Sequence, residues 1–208
     1  MTRIFLSYRR ADTATYAKRI YDRLSADFGS DAVFIDVVTI TPGAKFGVVI
    51  EDAVSKCDVL LAMIGLTWLT ATDESGRRLD HPEDLVRIEI TSALARDVLV
   101  IPLLLQGAAM PNRQELPVAL ADLAQRNALE MHDASWEFDI AKLERAVQSV
   151  VHLRSLGLKI ALNQQYCPVC GQALPQIRVP HTLRQALWGG WICPNCGTKL
   201  DRLGRVLA

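Results

Sequence analysis

The chain carries no net charge, because 23 Lys+Arg balance 23 Asp+Glu over 208 residues. Nor is it short of apolar residues, which make up 50% of it. A disordered segment would need few apolar residues and an imbalance of charge, so a folded protein is expected. With 12 Gly and 9 Pro, collagen-like and low-complexity readings fail. Long hydrophobic runs are missing as well. The longest, Val59–Leu66 and Val98–Leu105, fall far short of the ~20 residues of a membrane-spanning helix. The N-terminal residues reach Arg9-Arg10 too soon to leave a signal-peptide core. The expectation is a cytoplasmic protein with no membrane partner. Gly-x-Gly-x-x-Gly and Walker sequences are absent too, which removes the standard dinucleotide and P-loop sites.

The zero charge is a sum of unequal parts. Residues 1–150 hold 16 Lys+Arg and 22 Asp+Glu, a net of −6, while residues 151–208 hold seven Lys+Arg and one acid, Asp201, a net of +6. Such asymmetry points to separate modules. The expected division is a larger domain over 1–154 and a small one over 155–208.

In the larger part, short apolar segments alternate with amphipathic ones. Arg3–Ser7, Ala32–Ile35, Asp58–Gly65, Asp97–Leu105 and Asn127–Met131 read as strands. Asp12 can cap a helix with helical spacing at Tyr16, Ile20, Tyr21 and Leu24; the same spacing covers Phe46–Val54, a helix opened by Pro82 runs to about Arg96, and a last one runs from Trp136 to Leu153. This alternation predicts an α/β fold with a parallel sheet covered on both faces. Ligands in such folds bind beyond the carboxyl ends of the strands. Three polar clusters fall there: Ser7-Tyr8-Arg9-Arg10, then Asp36 with Pro42-Gly43, then the connection from Thr67 to Pro82 that leads to Glu89.

Phe5-Leu6-Ser7-Tyr8-Arg9-Arg10 resembles the first box of the Toll/interleukin-receptor (TIR) domain family. Phe34-Ile35-Asp36 with Pro42-Gly43-Ala44-Lys45-Phe46 is similar to that family's second strand and BB loop. Trp68-Leu69 and Leu85–Ile90 resemble the segment that holds the catalytic glutamate of NAD-cleaving members. Together the matched segments span roughly residues 1–150. The resemblance implies a flavodoxin-like TIR domain with a five-stranded parallel sheet. It further implies cleavage of the nicotinamide–ribose bond of NAD⁺, giving ADP-ribose or a cyclic or conjugated product, in bacterial anti-phage defence. Glu89 takes the catalytic position. Tyr8, Arg9, Arg10, Asp36, Gly43 and Phe46 match positions that line or gate the substrate pocket. NAD-cleaving relatives often carry a Trp one helical turn before the glutamate. This chain has Leu85 there, and Trp68 is the candidate aromatic surface in its place.

The chemistry asks for little equipment. Nicotinamide leaves a pyridinium as a neutral ring, and one carboxylate can stabilise the oxocarbenium charge and hold the ribose hydroxyls. Arg9 or Arg10 could grip the diphosphate, since a guanidinium reaches two phosphate oxygens. Other readings stand beside these: Glu89 as a solvated surface group, Arg9-Arg10 as a solvated pair, Trp68 as packing, and Cys57 as a small buried hydrophobe. A whole-protein alternative is a non-catalytic TIR scaffold that works by self-association, with the C-terminal part as a protein- or nucleic-acid-binding module; self-association and an effector or sensor protein are the partners expected in either case.

The smaller part carries Cys167-Pro-Val-Cys170-Gly and Cys193-Pro-Asn-Cys196-Gly. Two residues between thiolates let one tight turn offer both sulfurs to a tetrahedral metal, and four thiolates fill a structural zinc site. Iron and disulfides are the alternatives. The segment resembles a zinc ribbon, whose metal should supply most of its folding energy. Its basic residues near Trp188 and Trp191 raise nucleic-acid binding, but a solubilising surface or a protein-interaction role is the reading preferred.

Overall fold

The computed structural model describes residues 3–35, 46–96, 98–155, 167–170, 172, 191–200 and 206. The chain divides into two compact units, Met1–Val147 and Gln148–Ala208. No described helix is long and apolar enough to cross a membrane.

The first unit is built on five parallel strands: β1 (Ile4–Ser7), β2 (Val33–Ile35), β3 (Val59–Ile64), β4 (Leu99–Leu105) and β5 (Leu129–Met131). Their order across the sheet is β2-β1-β3-β4-β5. Ile4 pairs with both Val33 and Val59, Val59 with Leu99, and Leu103 with Leu129. The six residues of β3 are all buried, which explains why this central strand reads as one apolar run without alternation.

Four helices accompany the sheet: α1 (Arg10–Phe28), α2 (Phe46–Ser55), α3 (Leu85–Ala95) and α4 (Trp136–Ser155). The step from β1 to β2 runs one way across the sheet and the later steps run the other way. Right-handed crossovers therefore put α1 on the opposite face from α2 and α3. Phe5, Leu60, Ala62, Ile64, Val100 and Leu104 share one core with Ile50 and Val54 of α2 and with Val86, Ile90 and Ala93 of α3. Strand residues of the other parity, among them Ile4, Leu6, Leu61, Met63, Leu103 and Leu105, are buried as well. α1 meets α4 through Arg23 Nε on Glu144 at 2.7 Å, and just before α4 Asp133 accepts from the Tyr16 hydroxyl at 2.6 Å and from Arg19 at 2.8 Å.

Two helix starts differ from the sequence expectation. α3 begins at Leu85, not at Pro82, because the Asp84 carboxylate accepts from the Arg87 N–H at 3.0 Å and so caps the helix there. Asp12 does not cap α1. It lies inside the first turn, and its carboxylate accepts instead from the N–H groups of Gly65 at 3.1 Å and Thr67 at 2.9 Å, just past β3. Gly65 suits this contact. A Cβ there would overlap Asp12 Oδ2 and come within 2.5 Å of Thr13 Cγ2.

In the second unit, Trp191–Ile192 and Lys199–Leu200 form a two-stranded antiparallel ribbon. Cys167, Cys193 and Leu200 form its buried cluster among the described residues.

Candidate functional site: a buried glutamate and a four-sulfur cluster

The carboxyl end of β1 and the first turns of α3 bring one set of polar groups together. Ser7, fully buried, donates its hydroxyl to Glu89 Oε2 at 2.6 Å. Glu89 itself is 9% exposed. That is rare for a carboxylate on a helix, which normally faces water. Arg9 is buried and forks onto Asp84, with Nη1–Oδ2 at 2.9 Å and Nη2–Oδ1 at 3.1 Å. Its Nε donates to the Trp68 carbonyl at 3.3 Å, and Arg78 Nε approaches Asp84 Oδ2 at 3.3 Å. Such a buried pair gains little over an apolar substitute, but loss of one partner costs about 3–5 kcal/mol because a lone charge is left behind.

The expected site residues fall into distinct places. Tyr8 is half-buried and Arg10 is exposed at the start of α1. Arg9, expected as a phosphate contact, has an internal carboxylate partner. Trp68, expected as an aromatic surface, is fully buried and the largest of the fully buried side chains. It follows the turn after β3, and its ring belongs to the core that includes Leu79 and Val86. Phe46 opens α2. Asp36 and Gly43 lie outside the described residues. Leu85 is 42% exposed. Asp84 was missed by sequence reasoning, although an Asp directly before an apolar helical repeat is a capping signal. Ser7 was seen only as part of its polar cluster.

Near Asp84 the connection from Thr72 borders an open cleft of about 420 Å³, with Asp73, Ser75, Arg78, His81 and Glu83 in its lining. Glu89 does not line it.

The sequence profile of the TIR domain matches residues 4–147. The chain belongs to the TIR domain family. Among solved structures, this TIR protein is similar to the TIR domains of the activated Roq1 resistosome that directly recognises the pathogen effector XopQ. The identity is 12%, with 73% of this chain and 98% of that one covered and a TM-score of 0.46. It is also similar to the CMP N-glycosidase BcmB of Clostridium botulinum, at 16% identity, with 70% and 99% covered and a TM-score of 0.42. No sequence among the curated proteins matches this chain.

The second candidate site is the cysteine cluster. The Sγ atoms of Cys167, Cys170, Cys193 and Cys196 all lie within 4.8 Å of one another. Cys167 and Cys196 are 3.6 Å apart, and Cys170 and Cys193 3.5 Å. A tetrahedral metal with ~2.3 Å metal–sulfur bonds sets its sulfurs about 3.8 Å apart, whereas disulfide sulfurs are about 2 Å apart. The donor set therefore fits a metal that prefers thiolates. Hydrogen bonds from the Thr198 hydroxyl and then its N–H lower the Cys196 thiol to about 6. The Cys193 thiol is pushed up to about 11, since the Cys196 N–H lowers it but burial and the neighbouring Cys170 and Cys196 sulfurs outweigh that. Cys170 is lowered first by the Gln172 N–H. Gly197, directly after the second pair, has φ +70°, the left-handed turn that glycine tolerates. Gly171, after the first pair, lies outside the described residues.

Proposed function

We propose that this TIR protein cleaves the nicotinamide–ribose bond of NAD⁺ with Glu89 as the catalytic carboxylate. The observation that carries the reading is the Glu89 carboxylate: buried, held by Ser7, at the carboxyl end of a central strand in a TIR domain. Ligands of open parallel sheets enter at that end. As nicotinamide departs, positive charge grows on the ribose. A carboxylate fixed in a water-poor site stabilises that charge without reorganising. Tyr8, Arg10, Asp36, Gly43 and Phe46 are assigned to the substrate pocket, with Arg10 as the exposed cation for the diphosphate. The product is ADP-ribose or a cyclic or conjugated form of it, made in the cytoplasm, with anti-phage defence as the setting and self-association of TIR domains as the active form. Cys167, Cys170, Cys193 and Cys196 hold a structural Zn²⁺, whose chemistry is to neutralise and fix four thiolates. The reduced cysteines this needs belong to a cytoplasmic protein.

The test is mass spectrometry of NAD⁺ incubated with the purified chain, beside a Glu89→Gln variant. Nicotinamide together with a Glu89-dependent product supports the reading. Nicotinamide release that survives the substitution removes Glu89 from the chemistry.

A second reading, a scaffold that acts by self-association, draws on Leu85. It stands exposed where NAD-cleaving relatives often carry Trp, and Trp68 is fully buried, so it offers no aromatic surface there. Titration calorimetry separates the two: a scaffold takes up no heat from NAD⁺ at any assembly state.

A further inference from the structure

Phe5, Ser7 and Arg9 alternate onto one side of β1 and its extension, because strand side chains repeat every second residue. Arg9 keeps extended backbone angles, φ −99° and ψ 122°. All three side chains relate to the same helix. Phe5 shares a core with Val86 and Ile90 of α3. Ser7 holds Glu89 at 2.6 Å, and Arg9 holds Asp84 with two hydrogen bonds of 2.9 and 3.1 Å. The spacings also match. Two strand residues advance about 7 Å, and five helical residues rise about 7.5 Å. The later strand residue meets the earlier helix residue, as a helix antiparallel to its strand requires. Asp84 has two further partners, since it caps α3 through the Arg87 N–H and meets Arg78 Nε at 3.3 Å. A rotation or slide of α3 that carried Glu89 away would have to break the Arg9 fork, the Ser7 bond, or both.

We infer that Ser7 and Arg9 are positioning residues that clamp α3 at two points and thereby fix the Glu89 carboxylate, with Arg9 acting through Asp84 and not on the substrate. This rests on the reading of Glu89 as the catalytic group.

The test uses the full chain with NAD⁺ as substrate and two variants. Ser7→Ala removes one hydroxyl. Arg9→Met combined with Asp84→Asn removes both charges of the buried pair, and Asn still caps the helix. In each folded variant, kcat should fall on the order of 100-fold, the usual cost of a misplaced reacting group. KM should stay within about threefold, because a group that acts on geometry in the transition state leaves ground-state binding alone. A tenfold or larger rise in KM at unchanged kcat in the double variant would make Arg9 a substrate contact and overturn the proposal, as would an unchanged kcat in Ser7→Ala. If the double variant does not fold, Ser7→Ala decides alone. Hydrogen exchange across residues 85–89 gives a readout that needs no activity. If wild type and Glu89→Gln release nicotinamide equally, the reading of Glu89 fails by itself. Faster exchange in the double variant still supports the clamp, and unchanged exchange overturns it.

Discussion

The two units hold their polar groups in place by different means. Around β1 and α3, the charges of Arg9, Asp84 and Glu89 sit at the edge of an extensive apolar core, and each is held by a protein partner. Burial supplies the fold there, and the polar contacts select one arrangement of α3. Around the cysteines, the buried cluster among the described residues is two sulfurs and a leucine. A part of this size makes only a small core. Four sulfurs within 4.8 Å of one another are the structural element there, and without a metal their thiolates would repel. One unit should therefore lose geometry when a polar partner is removed, and the other should lose its fold.

The largest effect expected follows from that contrast. With zinc in the four-sulfur site, as proposed, a strong chelator or Cys193→Ser should unfold the second unit, because structural zinc contributes about 10–16 kcal/mol in small modules. The first unit's thermal transition should persist. NMR spectra with metal analysis check this, and one shared transition lost on chelation would break the comparison. A smaller effect is expected at Gly65. Gly65→Ala should push Asp12 off the Gly65 and Thr67 N–H groups and destabilise the first unit by about 1–3 kcal/mol, seen as a lower urea midpoint. Leaving the midpoint unchanged would mean that Asp12 braces nothing.

The smallest effect concerns acid stability. The Ser135 hydroxyl first, then the His132 N–H, ring and Lys142, hold the Asp139 carboxyl well below its usual range near the start of α4. A group depressed on folding contributes stability that is fully present above its unfolded value, about 4, and is lost as pH falls below it. Wild type should thus lose stability between about pH 4 and pH 2 faster than Asp139→Asn. Parallel pH profiles in urea unfolding would remove Asp139 from the first unit's polar braces.

The strands and their alternation with helices were legible because each is a short apolar run bounded by polar residues, and the β3 run needed no alternation in a sheet covered on both faces. The cysteine pairs were legible from spacing alone. What was hidden depended on partners far along the chain. Arg9 and Asp84 are 75 residues apart, so an Arg-Arg pair before a helix read equally as a solvated or a phosphate-binding one. Pro82 suited a helix start, and only the Asp84 carboxylate turned back on the Arg87 N–H moves that start to Leu85. Trp68 looked like a loop aromatic. Its burial follows from the path of the chain after Gly65, which no local pattern records. Glu89 was found by resemblance, and its pairing with Ser7 joins a strand end to a helix 82 residues later.

Catalysis by Glu89 is decided by the rate of nicotinamide release from NAD⁺, measured for wild type and Glu89→Gln at matched concentrations up to those that drive self-association. Wild type should release nicotinamide, and the variant should lose at least about 100-fold, the scale of removing a preorganised electrostatic group. Equal rates in the two proteins, at a concentration where wild type turns over NAD⁺, would contradict it.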